Sequence, residues 1–291
     1  MKIAAYIDQG RPGVGLVSSD LQTIQPLQIP DADKARGALP IVELLAEGKP
    51  LPATGASIAL ASVRLTAPVP RPRRNIFCVG KNYHAHAREF AKSGFDSSAK
   101  AGGDVPSVPI YFTKVPESVI GPNESIVIVP EVSTAIDYEA ELTVVIGKGG
   151  RNIPRSQALD HVFGYTIVND VTARDWQSRH MQWILGKSFD TFCPMGPWLV
   201  SADECDGTKT NVRCYVNGEE RQNASTTDLI FNIPTLISTI SAGITLYPGD
   251  IIATGTPAGV GIGFDPPKFL RRGDRVRIQI EGIGTLSNPV Q

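Results

Sequence analysis

Residues 136–147 read IDYEAELTVVIG, and this stretch has the composition of a β-strand. Side chains two positions apart in a strand point to the same side, so Glu139 and Glu141 share one face. At roughly 3.3 Å per residue, their Cα atoms lie about 7 Å apart. A second apolar run, residues 165–170, ends in another acid, Asp170. Three carboxylates that converge at strand ends form an oxygen-only site of the kind that a Mg²⁺-like ion prefers.

A second interpretation of the same acids remains open. Every second residue from Tyr138 to Ile146 is apolar, so Glu139 and Glu141 could instead belong to the solvent-exposed face of an amphipathic strand. Asp170 follows an asparagine, and an Asn-Asp pair before a helix is common N-cap chemistry.

The composition describes an ordinary globular protein. The chain has 291 residues, of which 42% are hydrophobic and 20% charged, with a net charge of −1. The absence of a basic run argues against nucleic acid or anionic membranes as partners. No apolar run reaches the roughly 20 residues that span a bilayer, and the N-terminus becomes polar too soon for a signal peptide. Four cysteines without C-x-x-C spacing indicate neither a zinc site nor a disulfide framework, so we expect a cytoplasmic protein.

The pattern predicts a β-rich α+β chain with two parts. Residues 1–70 resemble a small accessory α+β domain, with strands at 2–7 and 15–18 and a helix at 40–48; a proline-rich linker at 68–72 separates it from a domain over 71–291. We expect further strands at 75–79, 110–113, 125–128, 140–146, 162–168, 197–200, 212–216, 249–254 and 274–280, and helices at 83–92, 171–183 and 233–242. Asn217-Gly218 predicts a hairpin turn.

Residues 82–89 contain two of the four histidines. On a helix His86 and Glu89 are i, i+3 neighbours, and a carboxylate beside an imidazole suits a general base that acts on water. Alternatively, His86 and Glu89 lie on a solvent-exposed helix face and form an ion pair without a catalytic role. The polar, glycine-containing stretch 90–109 is either a lid that covers a site or an exposed surface loop. As a lid, residues 84–109 would be mobile without substrate and ordered with it.

Two further segments carry polar groups. Thr172 to Asp175 has capping-box form and would begin the helix that carries Gln177; Lys187 follows shortly after it. Residues 249–261 run from a strand into a Gly/Thr-rich loop, which suits either close approach of backbone N–H groups to an anion or a cluster of tight turns.

The ordered set of motifs resembles the fumarylacetoacetate hydrolase family over roughly residues 74–285. The motifs are GKNY at 80–83 with His86 and Glu89 after it, DYEAEL at 137–142, NDVTARD at 169–175, KSFD at 187–190 and TGTPAGVG at 254–261. The resemblance implies a mixed β-sandwich roll, a homodimer and bound Mg²⁺ or Mn²⁺. It implies the metal ligands Glu139, Glu141 and Asp170, the catalytic residues His86, Glu89 and Lys187, and the substrate contacts Gln177, Lys187 and Thr256. A fourth carboxylate ligand, present upstream in the large eukaryotic member, has no clear counterpart here.

The activity that the resemblance implies is hydrolysis of a C–C bond in acylpyruvate-like 2,4-dioxo acids through a metal-stabilised enolate, with a role in aromatic compound catabolism. An isomerase, decarboxylase or tautomerase of 2-oxo diacids, such as oxaloacetate or 2-hydroxyhepta-2,4-diene-1,7-dioate, uses the same enolate chemistry. A non-catalytic metal- or ligand-binding protein is the alternative from another class.

Overall fold

The computed structural model describes residues 1–95 and 105–291. The central part of the expected lid therefore lies outside the described residues, and the lid stays a prediction. Within the described ranges, no helix has the length and apolarity needed to cross a membrane. The expected homodimer concerns a second chain and also stays a prediction.

Short strands dominate the chain, and its helices are few and short. The strands are β1 (Lys2–Asp8), β2 (Arg11–Val17), β3 (Thr23–Pro26), β4 (Ile58–Ala59), β5 (Arg64–Leu65), β6 (Ile76–Gly80), β7 (Ile110–Lys114), β8 (Val119–Ile120), β9 (Ile136–Asp137), β10 (Ala140–Ile146), β11 (Val162–Asn169), β12 (Thr172–Ala173), β13 (Cys193–Ser201), β14 (Asn211–Val216), β15 (Glu219–Ser225), β16 (Ile251–Ala253), β17 (Arg275–Ile280) and β18 (Gly284–Pro289). The α-helices are α1 (Asp31–Lys34), α2 (Leu39–Ala46), α3 (His84–Lys92), α4 (Arg174–Arg179), α5 (Ile184–Lys187) and α6 (Ile233–Ser241).

A large mixed sheet forms the centre of the molecule. Its main path runs β4-β3-β2-β1-β13-β11-β10-β16-β6-β7, and a separate four-stranded sheet has the order β15-β14-β17-β18. The β16–β6 pair is parallel, whereas β10 is antiparallel to both β11 and β16. The expected β-rich α+β class is therefore confirmed. The expected boundary near residue 70 stays a prediction, although β1 pairs directly with β13 and so joins the N-terminal strands to the same sheet.

Both faces of the large sheet are covered by apolar side chains. Leu142 and Val144 of β10 belong to one core, which also includes the inward residues of the four-stranded sheet. Val145 belongs to a second core on the other face, with Ile41 and Val42 of α2. A strand at the centre of such a sheet has no solvent-exposed face, so the interpretation of Glu139 and Glu141 as solvent-exposed is wrong.

Several local expectations also need correction. Residues 125–128 form no strand, because this segment makes only an isolated bridge from Ile126 to Val290. The expected helix 171–183 is divided: β12 pairs with β9, α4 ends at Arg179, and Met181 takes a positive φ of 55° before α5 begins. The capping box is wrong too, since the Thr172 hydroxyl donates to the carbonyl of Asp170 instead of capping a helix.

Other elements agree with the sequence. Residues 140–146 form β10 with the expected limits, and Asn217 and Gly218 connect β14 and β15 as a hairpin. Both turn residues have positive φ, at 52° and 86°, which is the geometry that favours Asn-Gly.

Candidate metal centre and active site

The three predicted metal ligands lie together. Glu139, Glu141 and Asp170 each offer a carboxylate oxygen, and these oxygens lie within 4.8 Å of one another. The antiparallel register of β10 and β11 pairs Ala140 with Asn169 and so brings the three carboxylates together. Two hydrogen bonds fix the ends of the strands: the N–H of Asp170 donates to the Glu139 carbonyl at 2.8 Å, and the N–H of Glu139 donates to Asn169 Oδ1 at 3.0 Å.

The three carboxylates are deeply buried, and they differ in how well their negative charges are paired with cations. Glu139, Glu141 and Asp170 are 4%, 1% and 0% exposed. Across residues 1–95 and 105–291, Glu141 forms no ion pair; its Oε2 accepts only the N–H of Gly255, at 2.9 Å. Gly255 has a φ of +103°, which favours glycine at this turn. Desolvation, together with the charges of Asp170 and Glu139, raises the pKa of Glu141 well above its usual range.

Two lysines neutralise Asp170. Lys187 Nζ lies 2.7 Å from Asp170 Oδ2 and 2.9 Å from Glu139 Oε2, so it bridges two of the acids. Lys114 Nζ lies 2.7 Å from Asp170 Oδ1 and also donates to the carbonyls of Val171 and Lys187. Burial opposes the charge of Lys187, but the adjacent Asp170 and Glu139 outweigh it and raise the pKa of this lysine. Lys114 ends the apolar strand β7, and nothing in its own segment predicted this contact.

Arg174 organises the other side of the cluster. Its Nη1 lies 2.7 Å from Glu139 Oε1, and its Nε lies 2.9 Å from Asp137 Oδ2. Burial would raise the pKa of Glu139, but Lys187 and Arg174 outweigh it and lower this pKa to about 2. Asp137 also accepts the N–H groups of Gly261 and Ile262, which ties the Gly/Thr-rich loop to the site. In the described part of the chain, Arg174 Nη2 is buried and has no hydrogen-bond partner.

The predicted dyad is assembled on α3. His86 Nδ1 lies 3.1 Å from Glu89 Oε2, and Glu89 Oε1 accepts the N–H of Gly259 at 3.0 Å. Glycine at position 263 is required for this contact, because a Cβ there would lie 1.7 Å from Glu89 Oε1. If Nδ1–H donates to Glu89, the free lone pair of His86 is on Nε2, which is the arrangement of a general base. His86 is buried, so the solvated-face alternative does not describe it.

One pocket collects most of the predicted site residues. Its wall includes His86, Glu139, Gln177, Lys187 and Thr256, together with Arg174, Val79, Gly80, Lys81, Phe90, Phe112 and Trp183. Three predicted residues do not form the pocket wall: Glu141 and Asp170, which belong to the carboxylate cluster, and Glu89, which pairs with His86. The structure therefore brings the predicted residues together, while their roles stay predictions. The sequence reasoning gave no role to Lys114 or Arg174, although Arg174 lies within the NDVTARD motif at 169–175.

Removing Lys114 should destabilise the protein strongly. In Lys114→Met, Asp170 loses one of its two cationic partners and two buried carbonyls lose a donor. The loss of a partner from a buried ion pair costs about 3–5 kcal/mol. Urea unfolding of the metal-free protein measures this effect. Lys209→Met is the control, because Lys209 is 72% exposed in its salt bridge to Asp206, and it should change the stability by less than about 0.5 kcal/mol. Equal stabilities of the two variants would contradict this prediction.

The donor set fits a hard divalent cation. All three groups are carboxylates, as Mg²⁺ and Mn²⁺ prefer, and Glu141 is a buried acid with no cationic partner in the described ranges. The buried acids Asp137, Glu139, Glu141 and Asp170 lie in the same site as four buried bases, Lys81, Lys114, Arg174 and Lys187. A divalent ion would add positive charge to this site, which would then attract anions.

Comparison with known proteins identifies the family. The family model described as "Fumarylacetoacetate (FAA) hydrolase C-terminal" matches residues 75–291. The chain belongs to the fumarylacetoacetate hydrolase family. Among relatives, oxaloacetate tautomerase YisK of Bacillus subtilis (strain 168) is 53% identical over 235 residues, which are 80% of this chain and 74% of YisK.

Solved structures of the fumarylacetoacetate hydrolase family share the fold over the whole chain. A fumarylacetoacetate hydrolase from psychrophilic Exiguobacterium antarcticum has a TM-score of 0.84 at 38% identity, covering 100% of this chain and 99% of that one. Maleylpyruvate hydrolase from Sphingobium sp. SYK-6, in complex with manganese(II) ion and pyruvate, has a TM-score of 0.75 at 31% identity, covering 100% and 98%. The expected family and its fold are confirmed, and the chain is an enzyme of the fumarylacetoacetate hydrolase family. The non-catalytic alternative is therefore wrong; a role in aromatic compound catabolism stays a prediction.

Proposed function

We propose that this enzyme is a tautomerase that interconverts the keto and enol forms of oxaloacetate and depends on Mg²⁺ or Mn²⁺. The observation that carries the proposal is a pocket whose wall includes both His86, which pairs with Glu89, and Glu139 of the buried carboxylate cluster. The 53% identity to an oxaloacetate tautomerase supports this reaction more directly than the hydrolysis implied by the motifs alone.

The proposed metal ligands are Glu139, Glu141 and Asp170. When bound there, the ion supplies positive charge that favours the enolate of a 2-oxo acid. His86 Nε2 takes the proton from C3 of the keto form, and the electron pair of that C–H bond becomes the new C–C double bond. The protonated His86 then gives a proton back to the enolate oxygen, directly or through water, so the enol forms, no atom is gained or lost and His86 is neutral again. Glu89 holds the imidazole in the tautomer that accepts the proton.

The remaining pocket residues suit a diacid. Lys187 places positive charge beside the site of the developing enolate, and Gln177 and Thr256 add hydrogen-bonding groups. Arg174 offers the buried donor Nη2, which has no partner in the described structure. A second carboxylate would satisfy that donor, because an unpaired buried donor costs free energy that a charged acceptor recovers. This observation favours oxaloacetate over substrates that carry a single carboxylate.

Hydrolysis of 2,4-dioxo acids is the second candidate, and the His86–Glu89 pair is the observation that favours it. The same imidazole can take a proton from water, which then attacks the distal carbonyl and releases an enolate. A substrate such as acetylpyruvate carries one carboxylate and would therefore bring no second carboxylate to Arg174.

A direct assay separates the two candidates. We expect the metal-stripped enzyme to be inactive, and Mg²⁺ or Mn²⁺ to restore rapid decay of the oxaloacetate enol, which is followed by its ultraviolet absorbance. Excess EDTA should abolish the decay again. The value of kcat/KM should be at least about tenfold higher for oxaloacetate than for acetylpyruvate, the difference expected from one well-placed contact. Faster cleavage of acetylpyruvate would favour the hydrolase, and activity with neither substrate would contradict both candidates.

A further inference from the structure

Gln222 lies outside the motifs and outside the pocket wall, and its side chain forms a hydrogen bond with Thr256. This residue of β15 is 1% exposed, so its amide is removed from water. The oxygen Oε1 accepts the N–H of Ala140 at 3.0 Å. The nitrogen Nε2 donates to Thr256 Oγ1 and to the carbonyl of Pro257, both at 2.7 Å. One side chain therefore connects the strand between the two glutamates with the loop that carries Thr256.

The orientation of this amide is fixed by its backbone partners. The N–H of Ala140 can only donate, and the carbonyl of Pro257 can only accept. A flipped amide would set a donor against the first group and an acceptor against the second, so Nε2 must face Thr256 and Pro257. Both hydrogens of Nε2 are then used.

The polarity of the Thr256 hydroxyl follows from this orientation. Its oxygen accepts from Gln222, so its single proton points elsewhere. Within residues 1–95 and 105–291, Thr256 Oγ1 has no other hydrogen-bond partner. Thr256 is 2% exposed and forms part of the pocket wall with Glu139 and Lys187. A buried hydroxyl that is forced to donate and lacks an acceptor is completed by a ligand that brings one.

We infer that Gln222 is a positioning residue that makes Thr256 an obligatory hydrogen-bond donor to an acceptor oxygen of the bound 2-oxo acid. The inference rests on the proposed function for the class of ligand, and it adds a specificity rule. The ligand must present a carboxylate or enolate oxygen at Thr256, whereas a ligand with a donor there meets a hydroxyl that cannot accept it.

A binding experiment with oxalate tests the inference without turnover. Calorimetry gives the Kd of oxalate at saturating Mn²⁺ and, separately, the Kd of Mn²⁺ alone. Thr256→Val should weaken oxalate about tenfold or more, the effect of losing a hydrogen bond to a charged group. Thr256→Ser keeps the hydroxyl and should stay within about twofold of wild type.

A carboxylate at position 222 should make the Thr256 hydroxyl donate its proton to residue 222 and no longer to the ligand. In Gln222→Glu the new carboxylate can still accept from Ala140, but it also accepts the Thr256 proton. Oxalate should then weaken by about tenfold or more, while the Kd of Mn²⁺ stays nearly constant. In this background, Thr256→Val should cost less than about threefold, because the donor has already been lost. Asn223→Asp, which adds the same charge at the next, exposed position of β15, should have little effect.

Four outcomes would overturn the inference. The first is that the fold increase in the oxalate Kd of the double variant equals the product of the increases in Gln222→Glu and Thr256→Val. The second is an unchanged oxalate Kd in Gln222→Glu. The third is an equal loss of Mn²⁺ affinity, which indicates a purely structural role, and the fourth is a wild-type enzyme that does not bind oxalate. If Gln222→Glu does not fold, Gln222→Met replaces it and should weaken oxalate at least about threefold. A different result is that the tautomerase assay fails while the Gln222→Glu and Thr256→Val substitutions still affect the oxalate Kd non-additively. That result would reject the proposed reaction and leave this inference standing.

Discussion

Glu141→Gln should abolish oxaloacetate tautomerisation and leave the metal-free protein at least as stable as wild type. The glutamine keeps an oxygen for the N–H of Gly255, the hydrogen bond that Glu141 forms in this structure. It replaces a buried acid that has no ion-pair partner in the described chain, so no ion pair is lost. The affinity for Mn²⁺ should fall about 10²-fold or more, which exceeds the effect usual for outer-shell partners. Calorimetric titration with Mn²⁺ and urea unfolding measure the two effects.

Glu139→Gln provides the matched contrast to Glu141→Gln. Glu139 pairs with Lys187 and Arg174, so its replacement leaves two buried cations short of a partner. That variant should lose both metal affinity and about 3–5 kcal/mol of stability. Wild-type turnover in Glu141→Gln, or equal destabilisation by both substitutions, would contradict the assignment of Glu141 as a ligand held for a cation.

His86→Gln should lower kcat by about 10²-fold or more, the usual contribution of a general base. The Kd of Mn²⁺ should change little, because His86 pairs with Glu89 rather than with the carboxylate cluster. Stopped-flow measurement of enol decay at saturating Mn²⁺ gives kcat directly. His84→Gln is the control, since His84 lies on the same helix and is exposed. Near-native turnover of His86→Gln would show that another group moves the proton.

The sequence was sufficient to predict the elements that carry the site where the local pattern and the tertiary structure agree. Residues 140–146 form β10 as expected because β-branched and apolar residues suit a central strand. The i, i+3 spacing of His86 and Glu89 predicted their contact because α3 forms over these residues. The E-x-E pattern placed two acids on one face.

The errors arise where tertiary contacts decide. Nothing local indicates that the face with Glu139 and Glu141 is covered by a second core, so the local pattern also suited a solvent-exposed face. The helical periodicity over 171–183 gave no sign of the break between α4 and α5. Trp183, just before α5, packs edge-on against Phe90 and Phe112, and such contacts between residues distant in sequence are not visible in a local pattern. The roles of Lys114 and Arg174 depend on partners 56 and 37 residues away, Asp170 and Asp137, and a single sequence does not reveal such pairs.

The central claim is that the cluster of Glu139, Glu141 and Asp170 binds one divalent ion that tautomerisation requires. Titration of metal-stripped enzyme with Mn²⁺, with bound ion and enol decay followed in the same samples, tests it most directly. We predict binding of one Mn²⁺ per chain, with a tautomerisation rate that rises from the uncatalysed value in proportion to occupancy and reaches its maximum at saturation. Full catalysis before any Mn²⁺ is bound, or saturation of this site without a gain in rate, would contradict the account.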